Sequence, residues 1–130
     1  MASINKVIII GRVTKDPIIR TFDNGGKIAL FDVAINEKYF DKKTNEKKEK
    51  TQFHKVKINK PTLINFVENY LKKGHLVYIE GKIETKSYKD KFEKDSYITE
   101  IVLKSYDHNL QLLSVGKNDK TQNNDSYISK

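Results

Sequence analysis

Thr51-Gln52-Phe53-His54-Lys55-Val56-Lys57-Ile58-Asn59 alternates with a period of two. Val56 and Ile58 fall on one face together with His54, and Phe53, Lys55, Lys57 and Asn59 fall on the other. That pattern is a half-buried strand. After Pro61 the period changes. Leu63, Ile64, Phe66, Val67, Tyr70 and Leu71 recur at the spacings of one helical face, which predicts a helix over 62–73. Pro61 suits a first-turn position, Lys72 and Lys73 suit the negative end of the macrodipole, and Gly74 suits the cap. Period two then returns over 75–85, where Val77, Ile79 and Ile83 are assigned inward and Tyr78, Glu80, Lys82 and Glu84 outward.

A single helix framed by two strands fixes the frame for the rest of the chain. Upstream, residues 4–13 form a β-branched run, and Gly11 within it predicts a bulge or a close backbone approach. Asp16-Pro17 interrupts it and 18–22 resumes it. Asp23-Asn24-Gly25-Gly26 is a hairpin turn, because these residues tolerate positive φ. A second strand is expected over 27–38, followed by a lysine-rich connection over 41–50. Downstream come a charged loop, a strand over 97–103 and a short strand over 110–115. Short strands with glycine- and aspartate-rich turns, and one helix between the third and fourth, predict an all-β, five-stranded Greek-key barrel, the OB-fold. The domain is expected over 1–113, with a polar, aperiodic, disordered tail over 114–130.

Charge points to the partner. The chain carries 25 Lys plus Arg against 17 Asp plus Glu, a formal net charge of +8. A polyanion is the expected ligand, and nucleic acid is the leading candidate. With no cysteine, thiolate metal sites and thiol nucleophiles are excluded. His54, His75 and His108 lack metal-ligand spacing, and no glycine-rich phosphate loop or nucleophile motif is present. Neither an enzyme nor a bound metal or cofactor is expected. No stretch approaches 18 apolar residues, so no membrane span is expected. The N-terminus runs straight into a strand without a signal-like apolar region, so secretion is not expected either.

The outward faces carry chemistry suited to that polyanion. Phe53 is followed by Lys55 and Lys57 at two-residue spacing, so a base can stack on the ring while ammonium groups meet the flanking phosphates. The 38–57 segment interleaves Tyr39, Phe40 and Phe53 with eight lysines, Lys42 and Lys43 among them. The 82–94 segment does the same with Lys82, Lys86, Tyr88 and Phe92. Rings and lysines together serve a sequence-tolerant single-strand binder, because every base has a π-face. Lysine instead of arginine fits as well, since bidentate reading of base edges favours arginine. The candidate contacts are Tyr39, Phe53, Tyr88, Lys55, Lys57, Lys42, Lys43, Lys82, Lys86 and Arg12. A solvated, charged hairpin is the plainer explanation for either segment taken alone.

The run from Ile4 to Val13, Asp16-Pro17, Asn24-Gly25-Gly26, Thr51-Gln52-Phe53-His54-Lys55-Val56, Tyr70-Leu71-Lys72-Lys73-Gly74 and Val77-Tyr78-Ile79-Glu80-Gly81 occur in this order. Together they resemble the bacterial and mitochondrial single-stranded DNA-binding proteins over about residues 3–113. The resemblance implies an OB-fold homotetramer that wraps single-stranded DNA without sequence preference in replication, recombination and repair. It places stacking rings at Tyr39, Phe53 and Tyr88, and it finds Asn59 where a further aromatic is expected. It implies subunit contacts at Lys6, Ile8, His54, Tyr78 and Glu80. It also implies an acidic C-terminal tip that recruits replication and repair proteins. Residues 114–130 instead hold three lysines and two acids, so that tip is absent. A cytoplasmic, nucleoid-associated protein is expected, or an organelle-matrix protein if this is a mature chain. The competing readings are an OB-fold RNA-binding or primosome accessory protein, and a module whose basic face meets an acidic protein.

Overall fold

The computed structural model describes residues 2–116. The elements run β1 (Val7–Val13), β2 (Ile18–Thr21), β3 (Lys27–Asp41), β4 (Glu46–Ile58), α1 (Pro61–Tyr70), β5 (Leu76–Lys89), β6 (Asp95–Leu103) and β7 (Asn109–Ser114). The sheet follows the order β1-β3-β4-β6-β5-β7, and β1 also pairs with β5. That last pairing, Val7–Arg12 against Gly81–Leu76, closes β1, β3, β4, β6 and β5 into a barrel. β4 and β6 run parallel through Val56↔Ile101, Lys57↔Val102 and Ile58↔Leu103, and all other pairs are antiparallel. This is the five-stranded Greek-key barrel with one helix between the third and fourth barrel strands. β2 adds an edge strand on β3, and β7 takes the stretch of β5 that β6 leaves free.

The core follows from period two. Val13, Ala29, Phe31, Val33, Val56, Ile58, Val77, Ile79, Ile101, Leu103 and Leu110 are buried, and α1 adds Ile64 and Val67. Each of these side chains larger than alanine contributes about 1.5–3 kcal/mol on burial. Two glycines sit where strands approach closely. A Cβ on Gly11 would stand 3.0 Å from the Ala34 carbonyl oxygen, and one on Gly81 would stand 2.6 Å from that of Val102. Alanine at 81 would therefore push against backbone, not against a yielding side chain.

The helix is shorter than its periodicity predicts. It ends at Tyr70, and Leu71 turns extended (φ −80°, ψ 131°). That turn buries Leu71 in the core, and packing outweighs continued helical bonding. Lys72 and Lys73 therefore lie in the connection to β5, where Gly74 takes φ +92°. Next to it, the His75 imidazole accepts the Lys72 amide at Nδ1 (3.2 Å), so it must be neutral. Burial holds its pKa below the ordinary 6.5, and nearby Lys72 adds to the effect. A lowered histidine pKa contributes stability above pH 6.5 that is lost as pH falls through the folded value. The melting temperature should therefore drop between pH 7 and pH 5 by more than in a His75→Asn variant, whose amide oxygen can accept the same bond. Parallel thermal melts across that range check this, and equal slopes would refute it.

Two segments expected as connections are strands. β3 runs on to Asp41 and β4 starts at Glu46, and their ladder extends to Asp41↔Glu46. Likewise β5 and β6 remain paired to Lys89↔Asp95. Both hairpins project past the barrel rim, where neither face meets a core, so alternation of apolar residues is lost. Tight turns hold them instead. The Asn45 amide donates to the Asp41 carbonyl (2.7 Å), with Asn45 at φ +60°. The Asp41 carboxylate accepts Lys48 Nζ (2.9 Å) and the Lys43 amide (2.9 Å), and both bonds lower its pKa. The Asp90 carboxylate accepts the Lys94 and Phe92 amides (3.0 and 2.8 Å) in the same way. The same geometry corrects Ile83. It keeps the inward parity of Ile79, yet it is half exposed because it stands at the rim.

Candidate nucleic-acid interface

Residues paired across a sheet point to the same side, so the register places every candidate. The outward row on β3 and β4 is Ala34 beside Phe53, Asp32 beside Lys55 and Leu30 beside Lys57. Lys57 then neighbours Val102 on β6, which neighbours Lys82 on β5. Further along the same two strands, Glu84 faces Glu100, Lys86 faces Ile98 and Tyr88 faces Ser96. One continuous outer face thus brings together Phe53, Lys55, Lys57, Lys82, Lys86 and Tyr88. The ring of Phe53 is 67% exposed, and that of Tyr88 is also open to solvent.

The cations on this face are not equivalent. Among the described residues, Lys55 and Lys57 enter no ion pair. Lys82 Nζ instead meets Glu84 (3.1 Å), and Lys104 Nζ meets the same carboxylate (2.8 Å). The two lysines hold Glu84 below the usual carboxylate pKa, Lys104 most strongly. Lys86 Nζ lies 3.4 Å from Glu100, whose side chain is only 9% exposed. Lys55 and Lys57 therefore have the most charge free for a ligand.

Other candidates lie elsewhere. Lys42 and Lys43 occupy the tip of the β3–β4 hairpin and are exposed. Tyr39 pairs with Lys48, which puts it on the opposite face of that hairpin from Phe53. It is Phe40, paired with Lys47, that shares Phe53's face, and it is half exposed. Arg12 sits in the Phe53 row, through Ala34, but its Nη1 donates to the Gly74 carbonyl (2.7 Å). Asn59 follows directly on β4, and its amide donates to the Leu103 carbonyl (2.8 Å).

A groove of about 350 Å³ beside Lys55 adds residues that the sequence reading passed over. Lys15, Arg20, Ile18, Asp32, Ile98 and Glu100 contribute to its lining. Lys15 and Arg20 gave no local signal, because only the β2–β3 pairing and the bond from the Thr14 amide to the Asp32 carbonyl (3.0 Å) bring them beside β4. Phe92, at the exposed tip of the second hairpin, has Lys91 Nζ 5.3 Å from its ring centre.

The implied subunit-contact residues also separate. Ile8 pairs with Glu80 and Ile10 with Tyr78, so these four share the outer side of β1 and β5. Lys6 Nζ joins them through Glu80 (2.8 Å), which raises the lysine pKa. His54 pairs with Val33, itself paired with Val13, and so belongs to the inward row.

Fold and face together define a class: an OB-fold barrel whose ligand face suits a chain of planar groups joined by negative charges. The chain belongs to the Single-strand binding protein family, whose model matches residues 4–113. It is 41% identical over 124 residues to the single-stranded DNA-binding protein of Rickettsia conorii, covering 95% of this chain and 81% of that protein. To the Rickettsia felis single-stranded DNA-binding protein it is 42% identical over 121 residues, covering 92% and 80%. A solved structure described as the Plasmodium falciparum SSB complex with ssDNA aligns with a TM-score of 0.82 at 34% identity. That alignment covers 88% of this chain and 98% of the other. Among the described residues, no helix is long and apolar enough to cross a membrane, and no group of three His, Cys, Asp or Glu side chains is placed to hold a metal.

Proposed function

We propose that this chain binds single-stranded DNA without sequence preference and protects it during replication, recombination and repair, acting by binding and not by catalysis. One observation carries the reading: an exposed Phe53 flanked on its own strand by Lys55 and Lys57, neither of which is in an ion pair among the described residues. The ring stacks a base, and the two ammonium groups meet the adjoining phosphates. Tyr88 offers a further ring on the same face and Tyr39 one on the opposite face of the β3–β4 hairpin, with Lys42, Lys43, Lys82, Lys86 and Arg12 as weaker or peripheral contacts. The family and the named relatives support the same ligand. Such a protein works at the nucleoid in the cytoplasm. The experiment is quenching of tyrosine emission during titration with oligo-dT, oligo-rU and duplex DNA. Binding of oligo-dT at least tenfold tighter than the other two is expected. Equal affinity for oligo-rU would favour an RNA ligand, and preference for the duplex would refute the reading.

The protein is further proposed to act as a homotetramer, of roughly 60 kDa from four chains of 15.1 kDa. Ile8 and Ile10, exposed in the single chain, and the half-buried Tyr78 form an apolar stripe on β1 and β5, the sort of surface that an interface covers. Light scattering at micromolar concentration checks the mass, and a 15 kDa species would refute the assembly. The domain over 1–113 remains a proposal. The last strand runs to the buried Ser114, and the proposed tail lies outside the described residues beyond Gly116. Recruitment of replication and repair proteins through an acidic tip is not proposed. If Asn59 marks a missing ring, Asn59→Trp should tighten oligo-dT binding by about 1 kcal/mol, the low end for one stacked base. Isothermal titration of the variant against the parent decides.

A further inference from the structure

The outer face has lysines along its whole length but an uneven supply of rings. Towards the end of β4 it holds Lys57 and Asn59, with Lys104 just past the end of β6 alongside, and neither strand presents an aromatic side chain there. The turn that follows β6, whose backbone lies beside Lys60, carries a ring. Tyr106 is 94% exposed.

The turn that carries Tyr106 is held firmly. Lys60 Nζ donates to the carbonyls of Tyr106 (3.2 Å) and His108 (2.9 Å), tying the turn to the residue after Asn59. The Asn59 amide bonds the Leu103 carbonyl (2.8 Å), three residues before Tyr106. The His108 imidazole closes the turn from within, where Nδ1 accepts the amides of Lys104 (3.0 Å) and Ser105 (3.1 Å). The Lys104 ammonium reaches back to Glu84 on the outer face (2.8 Å). An aromatic side chain that is almost wholly exposed normally loses freedom when it captures a ligand. Here the backbone beneath it is already fixed from both sides, so that loss is confined to the side chain's own rotations.

We propose that Tyr106 is a base-stacking platform that extends the single-strand track past the end of β4, where the strands supply cations but no ring. This rests on the single-stranded DNA reading above and adds to it a binding residue outside the barrel strands. The ligand element is one nucleobase, stacked on the phenol ring, with its phosphates towards Lys57.

The chain contains no tryptophan, so Tyr106→Trp and Phe53→Trp each create a single reporter. Both variants are titrated with oligo-dT of increasing length. Emission from each is expected to be quenched in step with binding, with position 106 requiring longer oligomers than position 53. Tyr106→Ala should weaken binding of the longer oligomers about five- to 150-fold, as loss of one stacked base does, with an unchanged melting temperature and an unchanged slope against salt. If position 53 is quenched and position 106 stays silent at saturation, the inference fails and the single-strand reading stands. If neither responds and no affinity is found, both fail. If Tyr106→Ala binds normally but lowers the mass in solution, the ring is a subunit contact and the inference is overturned.

Discussion

Phe53→Ala is expected to lose about 1–3 kcal/mol of affinity for single-stranded DNA, the worth of one stacked base, or about five- to 150-fold in Kd. Two features make the experiment clean. The ring is uncharged, so the dependence on salt should stay as it was. It is also 67% exposed on the outer row of β4, so no core contact is lost and the melting temperature should move by no more than about 2 °C. Phe53→Trp should bind at least as well as the parent, since the larger ring offers more π-surface. A fall of several degrees in melting temperature with affinity per folded molecule unchanged would make Phe53 a packing residue and remove the centre of the proposed site.

The second large effect is that of salt. Lys42, Lys43, Lys55 and Lys57 have no ion pair among the described residues. Four phosphate contacts on a single strand give a slope of about −2.8 in log affinity against log salt, so a fourfold rise in salt should weaken binding about fiftyfold. Lys55→Ala should flatten the slope by about 0.7 and weaken all sequences alike. Lys86→Ala should flatten it less, because its ammonium already faces the buried Glu100 carboxylate at 3.4 Å. Affinities measured at several salt concentrations for both variants test the ranking. Equal changes for Lys55 and Lys86 would show that the internal pair opens freely on binding, and a slope near zero would remove phosphate from the proposal.

The barrel was legible because its strands have one wet face and one dry face. Val56 and Ile58 against Lys55 and Lys57 set parity and depth for β4, and Val77 with Ile79 did the same for β5. That signal vanishes wherever both faces are wet, which is why the hairpin ends of β3, β4, β5 and β6 read as connections. Their pairing rests on ladder bonds and on turns closed by Asp41 and Asp90, and neither leaves an apolar period. The helix end at Tyr70 was obscured for the opposite reason. Leu71 is apolar at helical spacing, and only the three-dimensional core shows that it is buried in extended form. Phe53, Lys55 and Lys57 could be grouped because they lie on one strand. Arg20, Lys15 and Ile98 could not, since their place beside Lys55 depends on pairings between segments far apart in the chain.

The seam between β4 and β6 bears on how the molecule reaches this shape. Only three residue pairs close it, and they join segments separated by the whole helix and a hairpin. Every other neighbour in the closed ring apart from β1 on β5 is linked through a turn or a short stretch of chain. Hairpins form in microseconds, whereas distant pairings wait on the entropy of a long loop. The β3–β4 and β5–β6 hairpins should thus be early structures, with the parallel seam and the β1–β5 pairing setting the pace of folding. In native hydrogen exchange those amides of Ile101–Leu103 that bond to β4 would then report the opening of the ring, while those of the projecting hairpins report only local fraying.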